Sequence, residues 1–495
     1  MSQVTGTRRS QDEDRGRGAD ALRTAPPPRI ASAATALPEH VYRQEEILAA
    51  FVDEFLPVGS PRRRAAERIS DNAGVDTRHF AVPLEQLRAL ASFTEANEAY
   101  LTAALELGER AVRRALAEAG ISPDEVDLVV STTVTGLAVP SLEARLARRL
   151  GLREDVKRIP MFGLGCVAGA AGIARVADYL RAWPDQVAVL LAVELCSLTL
   201  QRDDVSVANV VGSSLFGDGA AAVVLLGGNR RGAAGFDDRP EAGPAATGRT
   251  RSGVTASGVM RAAPGEDVGN TSGSGVPGGI RMSGSGSRPG SAERDGAEAG
   301  HAALPGTAGP AVSNAAPAEA ADGGGSDVGA ARLVPQRRSV EGLRPADGVG
   351  ALPEIIATRS RLYPDTEDVM GWDIGASGFR LVLSADVPTI AREFLSKDVV
   401  GFLADHGLVA EDVGTWICHP GGPKVIDAVT DSLALPATAL AHTRESLSAL
   451  GNLSSASVLD VLRRTLAQPR PPAGTPGLLL AMGPGFCAEL VLLRW

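Results

Sequence analysis

Ala119-Gly-Ile-Ser-Pro-Asp-Glu-Val-Asp-Leu-Val-Val-Ser-Thr, ending at Thr132, and His406-Gly-Leu-Val-Ala-Glu-Asp-Val-Gly-Thr-Trp-Ile-Cys-His, ending at His419, are built alike. Each opens with a glycine suited to closing a helix, continues through a short acidic turn, and ends in an apolar run of strand length. A second pair follows in the same order. Phe216-Gly-Asp-Gly runs into the apolar residues 220–226, and Gly483-Pro-Gly-Phe runs into residues 487–493. A glycine turn feeding a buried strand is the common reading. Two such matches imply a duplicated α/β unit, and the second copy carries His419 where the first has Thr132.

The rest of the chain fits around that duplication. A length of 495 residues exceeds one usual core, and 44 % apolar residues can build two. The 57 glycines and 32 prolines are more than helices and strands absorb evenly, so part of the chain is expected to be disordered. Residues 1–36 lack apolar periodicity and read as a disordered N-terminal extension. Order is expected from near Pro38, with Ile47, Phe51 and Phe55 on one helical face. Residues 229–345 are dominated by Gly, Ser, Ala, Pro and Arg and read as a long disordered insertion. What remains is an N-terminal half, 37–228, and a C-terminal half, 346–495.

A net charge of −10 argues against general nucleic-acid binding, which needs a basic surface. Cys166, Cys196, Cys418 and Cys487 show no CxxC spacing, which predicts neither disulfides nor zinc. No apolar run is long enough for a membrane span and no signal-peptide pattern opens the chain, so a cytoplasmic protein is expected.

Three residues suggest chemistry. Cys166, in Phe162-Gly-Leu-Gly-Cys-Val-Ala-Gly, precedes a buried helical pattern, and a thiol at a helix N-terminus gains acidity from the dipole. His419 follows an apolar strand and precedes Pro420-Gly-Gly-Pro, at the strand end where α/β active sites gather. Asn452 precedes a helix carrying Val458, Leu459 and Leu462. Each alone has an ordinary reading: a small core thiol, a structural histidine, a helix cap.

Their combination resembles the type III polyketide synthases, the chalcone-synthase-like branch of the thiolase superfamily. The landmarks stand in family order: Gly165-Cys166, Leu215-Phe-Gly-Asp-Gly-Ala, His419-Pro-Gly-Gly-Pro, Gly451-Asn452 and Met482-Gly-Pro-Gly. The resemblance implies a thiolase-like α/β fold of two pseudo-duplicated halves in αβαβα layers. It implies an acyltransferase that holds the starter on Cys166, while His419 pairs with the thiolate as an imidazolium and, with Asn452, stabilises the enolate from malonyl-CoA. The substrates would be acyl-CoA and malonyl-CoA, without metal or organic cofactor, in a homodimer with Val139 crossing the interface.

By the same resemblance Phe216 stands between the CoA tunnel and the cavity, and Leu381 replaces the family's second gate aromatic. Trp372 falls on the cavity floor, Cys196 on its wall, and Arg68, with Arg62, Arg63 and Arg64 nearby, faces the CoA phosphates. Pro364-Asp-Thr-Glu-Asp-Val-Met-Gly-Trp resembles bacterial alkylresorcinol and alkylpyrone synthases, which implies a medium or long fatty acyl starter. Two alternatives share the landmarks in part: a ketoacyl-carrier-protein synthase III, with one condensation, and a non-catalytic binding protein of the same fold.

Overall fold

The computed structural model describes residues 26–55, 58–201, 204, 206–230 and 352–495, with no side chain described for 52–55. The insertion read from the sequence at 229–345 lies almost wholly outside the described residues, as does the start of the N-terminal extension.

The extension ends earlier than expected. Arg29–Ala36 forms strand β1, whose Ile30, Ala33, Ala34 and Ala36 are buried. It pairs antiparallel with β7 (Asp218–Leu226) on one side and meets β8 (Glu354–Leu362) at Arg29 on the other. Boundary 36 is therefore corrected to before residue 29. The small side chains of Ala-Ser-Ala-Ala-Thr-Ala carry little hydrophobic signal, and their burial comes from a central place in the sheet rather than from their own transfer energy.

Nine strands run in the order β11-β12-β13-β8-β1-β7-β6-β4-β5. The first half supplies β1, β4 (Leu128–Thr133), β5 (Lys157–Phe162), β6 (Val187–Leu195) and β7; the second supplies β8, β11 (Thr415–Cys418), β12 (Pro476–Gly483) and β13 (Cys487–Arg494). The pairings repeat. β4 is parallel to β6 as β11 is to β12, and β6–β7 and β7–β1 are antiparallel as are β12–β13 and β13–β8. Two short antiparallel pairs stand apart: β2 (His40–Arg43) with β3 (Thr77–Phe80), and β9 (Met370–Gly375) with β10 (Gly378–Leu383).

The helices, numbered apart from single turns, are α1 (Gln44–Phe55), α2 (Pro61–Asp71), α3 (Phe93–Ala119), α4 (Leu142–Leu150), α5 (Ala168–Ala182), α6 (Val207–Leu215), α7 (Ser396–Ala404), α8 (Pro423–Ser432), α9 (Ala441–Leu450) and α10 (Ser455–Leu466). Ile173, Val176 and Leu180 of α5 and Val458, Leu459 and Leu462 of α10 share one core with inward residues of both sheet halves, such as Leu190, Val223, Leu479 and Val491. The alternate residues Val189, Leu191, Val193 and Val224 pack under α3 and α4, and Leu478, Leu480, Leu490 and Leu492 under α7, α8 and α9. Period-two alternation thus sends each strand's side chains to opposite layers, giving helix, sheet, helix, sheet, helix. The fold is the expected thiolase-like α/β architecture. The central helices are its costliest contacts: cutting a buried leucine such as Leu180 to alanine removes about 2–5 kcal/mol.

Candidate active site

The two central helices point their N-termini at one place. Cys166 sits in the 3₁₀ turn Gly165–Val167 ahead of α5. Gly165 has φ +53°, and a Cβ there would stand 2.6 Å from Pro484 Cγ, so only glycine lets the turn seat against the end of β12. Gly169 lies against α10, where a Cβ would come 2.3 Å from the Ser455 carbonyl oxygen. This close approach brings Cys166 to Asn452 and Ser454.

Cys166 is partly buried, and its thiol donates to Ser454 Oγ at 3.7 Å. Burial pushes that thiol up to about 12, against lowering hydrogen bonds from Ser454 and the Asn452 side chain and a further rise from Glu194. Desolvation, with no contacting cation among the described residues, works against the acidity expected from the helix N-terminus. Asn452 is buried, its Oδ1 accepting from Ser454 N at 2.8 Å and from Ser457 Oγ at 3.5 Å. With the oxygen held, the amide N–H groups are the side available to the sulfur. Asn452 is not the helix cap; Ser454 takes that place, at φ +48°, an uncommon conformation for a side-chain-bearing residue.

His419 directly follows β11, its N–H donating to Leu480 O at 3.0 Å and its carbonyl accepting from Gly421 N at 3.0 Å. It is 4 % exposed. Neither ring nitrogen has a hydrogen-bond partner among the described residues, and burial pushes the imidazole down to about 3. Among the described residues no hydrogen bond joins it to Cys166. β12 connects the two. Leu480 holds His419, and three residues on, a Cβ at Gly483 would touch Val167 N at 2.7 Å.

Phe216, Trp372, Leu381 and Cys196 line one cavity, as read from the sequence. Trp372 and Leu381 are cross-strand partners on β9 and β10. Phe216 lies 6.4 Å from Trp372 and Trp372 6.3 Å from Phe379, centroid to centroid. Cys196 is buried, and its thiol is pushed well up by burial, then by Glu194, Asp218 and Cys166. Arg68 is not among these residues; it is exposed on α2, as are Arg62 and Arg64, while Arg63 pairs with Glu67 at 3.2 Å. Val139 is 94 % exposed.

Sequence reasoning passed over three residues here. Ser454 touches the nucleophile candidate directly. Glu194, buried and raised to about 7 by desolvation, accepts from Val134 N and Thr135 Oγ1, each at 3.1 Å, and from Ser455 Oγ. Arg78 is fully buried beside the cavity. Nothing in its local sequence, Thr77-Arg-His-Phe, separates it from a surface arginine.

Residues 17–229 match the N-terminal domain of the chalcone and stilbene synthases and residues 354–495 their C-terminal domain. The chain belongs to that family, the type III polyketide synthases, and is an acyltransferase-type enzyme of that class. Among its relatives it is similar to 1,3,6,8-tetrahydroxynaphthalene synthase of Streptomyces peucetius subsp. caesius, at 42 % identity over 94 % of this chain and 93 % of that one. It is also similar to a putative chalcone synthase of Bacillus subtilis, 30 % identical over 86 % of this chain and 87 % of the other. The solved 1,3,6,8-tetrahydroxynaphthalene synthase of Streptomyces coelicolor A3(2) superposes with a TM-score of 0.67 at 25 % identity, covering 94 % of this chain and 99 % of that one. None of the described helices is long and apolar enough to cross a membrane.

Proposed function

We propose that the enzyme condenses malonyl-CoA decarboxylatively onto an acyl group held as a thioester on Cys166. One observation carries this: the thiol meets the Asn452 amide and Ser454 at the joined ends of the central helices, while His419 is buried beside β12, its ring nitrogens without a hydrogen-bond partner among the described residues. During loading, His419 takes the Cys166 proton as sulfur attacks the starter carbonyl, and returns it to the departing CoA thiolate. With malonyl-CoA bound, the imidazole and the Asn452 amide donate to its thioester oxygen. The carboxylate C–C bond breaks, carbon dioxide leaves, and the enolate held by those donors attacks the Cys166 thioester, forming the new C–C bond as the C–S bond breaks. Neither metal nor organic cofactor enters these steps. Arg68 and its neighbours on α2 would meet the CoA phosphates, and the enzyme would act as a cytoplasmic homodimer.

For the starter, malonyl-CoA itself is the reading we favour, with cyclisation to a polyhydroxynaphthalene. The name of the relative at 42 % identity supports it, and so does the crowding of Phe216, Trp372 and Leu381, where a Cβ on Gly212 would already stand 2.7 Å from Leu381 Cδ2. A fatty acyl starter leading to an alkylresorcinol or alkylpyrone is the second reading, supported by leucine rather than an aromatic at 381. Each buried methylene would contribute roughly 0.8 kcal/mol to it. Competing malonyl-CoA with dodecanoyl-CoA, and reading kcat/KM and product mass, decides between them. A dodecanoyl-primed product as the preferred one would reverse the choice; no product from either would remove the function.

A further inference from the structure

Arg78 occupies a place that burial alone makes expensive. Its guanidinium is pushed down to about 9 by desolvation, with Asp218 acting the other way. Asp218 is itself buried and raised to about 6 by burial, and accepts from Ala81 N at 2.7 Å, Ser197 N at 2.8 Å and Ser197 Oγ at 2.5 Å. Arg78 Nη1 donates to Ser213 O at 2.6 Å and Phe216 O at 2.9 Å, carbonyls at the C-terminal end of α6 that its helix leaves without partners. The segment it grips is stitched to another: Asn452 N donates to Leu215 O at 2.8 Å, and Gly217 N to Asn452 O at 3.0 Å. The arginine stem runs beneath that second segment, since a Cβ on Gly451 would meet Arg78 Cγ and Cδ at 3.0 Å.

We infer that Arg78 is a positioning residue that fixes the Phe216 ring and the Asn452 amide in one frame. It touches no reacting atom. One fork reaches the backbone that carries the cavity wall, its stem supports the backbone that carries the enolate donor, and Asp218, two residues beyond Phe216, holds Ser197 of the Cys196–Thr199 wall. The inference rests on the roles proposed above for Phe216 and Asn452. Lysine keeps the charge but not the planar fork.

The test uses the full-length enzyme with Arg78→Lys, Arg78→Met, and Arg78→Met combined with Asp218→Asn. The paired variant removes both buried charges and should regain unfolding temperature lost by Arg78→Met. Malonyl-CoA decarboxylation and product formation should both stay depressed, by about 10²-fold in kcat for a displaced donor, with KM changed much less. Arg78→Lys, the variant expected to fold most readily, should show the same split to a smaller degree. If the paired variant regains kcat together with stability, or Arg78→Lys has unchanged kcat, Arg78 is only a stabilising charge and the inference is overturned. A wild-type enzyme that does not decarboxylate malonyl-CoA would instead overturn the proposed function, before any variant is compared.

Discussion

β4 and β11 hold the same place in their halves, each parallel to its neighbour and each preceded by a capped acidic 3₁₀ turn, yet they end in different chemistry. β4 closes on Thr132 and Thr133, whereas β11 is followed directly by His419. The central helices differ likewise: α5 begins just past a thiol, α10 just past an amide and a hydroxyl. The frame is symmetric, and under the proposed function the halves divide the roles, the candidate nucleophile in the first and the candidate donors in the second. The symmetry also ends at the sheet edges. The first half finishes in β5, exposed along most of its length, whereas the second has no strand beside β11 among the described residues.

Removing the candidate nucleophile breaks the comparison most sharply. Cys166→Ala should abolish acyl loading, seen as loss of the acyl mass increment on the intact protein after incubation with malonyl-CoA. Cys166→Gln should keep decarboxylation, because the second half's donors remain. An acylated alanine variant would move the nucleophile to another thiol.

The strand ends give the next contrast. His419→Ala and Asn452→Ala should each lower decarboxylation by roughly 10²–10³-fold. Thr132→Val, at the equivalent end of β4, should leave the rate within about twofold of wild type. The Thr132 hydroxyl is buried without a partner among the described residues, so the valine variant should also unfold at an equal or higher temperature. Equal losses at Thr132 and His419 would mean the halves had not divided their roles.

Much of the frame behind this division was legible in the sequence, because it rests on local signals. Glycine at a helix end, an acidic turn and an apolar run located β4 and β11, and the glycines around Cys166 located the turn before α5. Signals that depend on distant neighbours were not legible. β1 is made of alanine, serine and threonine, and only its placement between β7 and β8 buries it. Arg78 and Ser454 gain meaning from contacts 138 and 288 residues away. The acidity of Cys166 was legible only on one side: a helix N-terminus can be read from sequence, whereas the burial that works against it cannot.

The joint between the halves offers a smaller effect. Gly169→Ala puts a methyl group 2.3 Å from Ser455 O and 2.6 Å from Val458 Cγ1, both fixed in the central layer. The helices must part by tenths of an ångström, at about 1–3 kcal/mol. Both the unfolding temperature and kcat should fall, since Cys166 then moves away from Asn452. Loss of stability with unchanged kcat would show that the site tolerates a looser joint.

The smallest effect separates the halves by charge. Glu194 is the penultimate residue of β6, where β12 has uncharged Met482. Desolvation raises the Glu194 carboxyl from 4.5 to about 7, so between those values the folded protein holds a proton that the unfolded chain has released. The folded state then binds more protons than the unfolded one. Stability contributed by the neutral carboxyl is full below pH 4.5 and is lost as pH rises through about 7. At ~1.4 kcal/mol per unit, the loss has an upper limit of about 3 kcal/mol. Glu194→Gln stays neutral, keeps an oxygen for Val134 N and Thr135 Oγ1, and lets the Ser455 hydroxyl reverse and accept. Its unfolding temperature relative to wild type should climb between pH 4.5 and 7 and then level off. A difference independent of pH would mean Glu194 is ionised throughout, held by its three donors against burial, and the buried charge would then be a fixed feature of the first half alone.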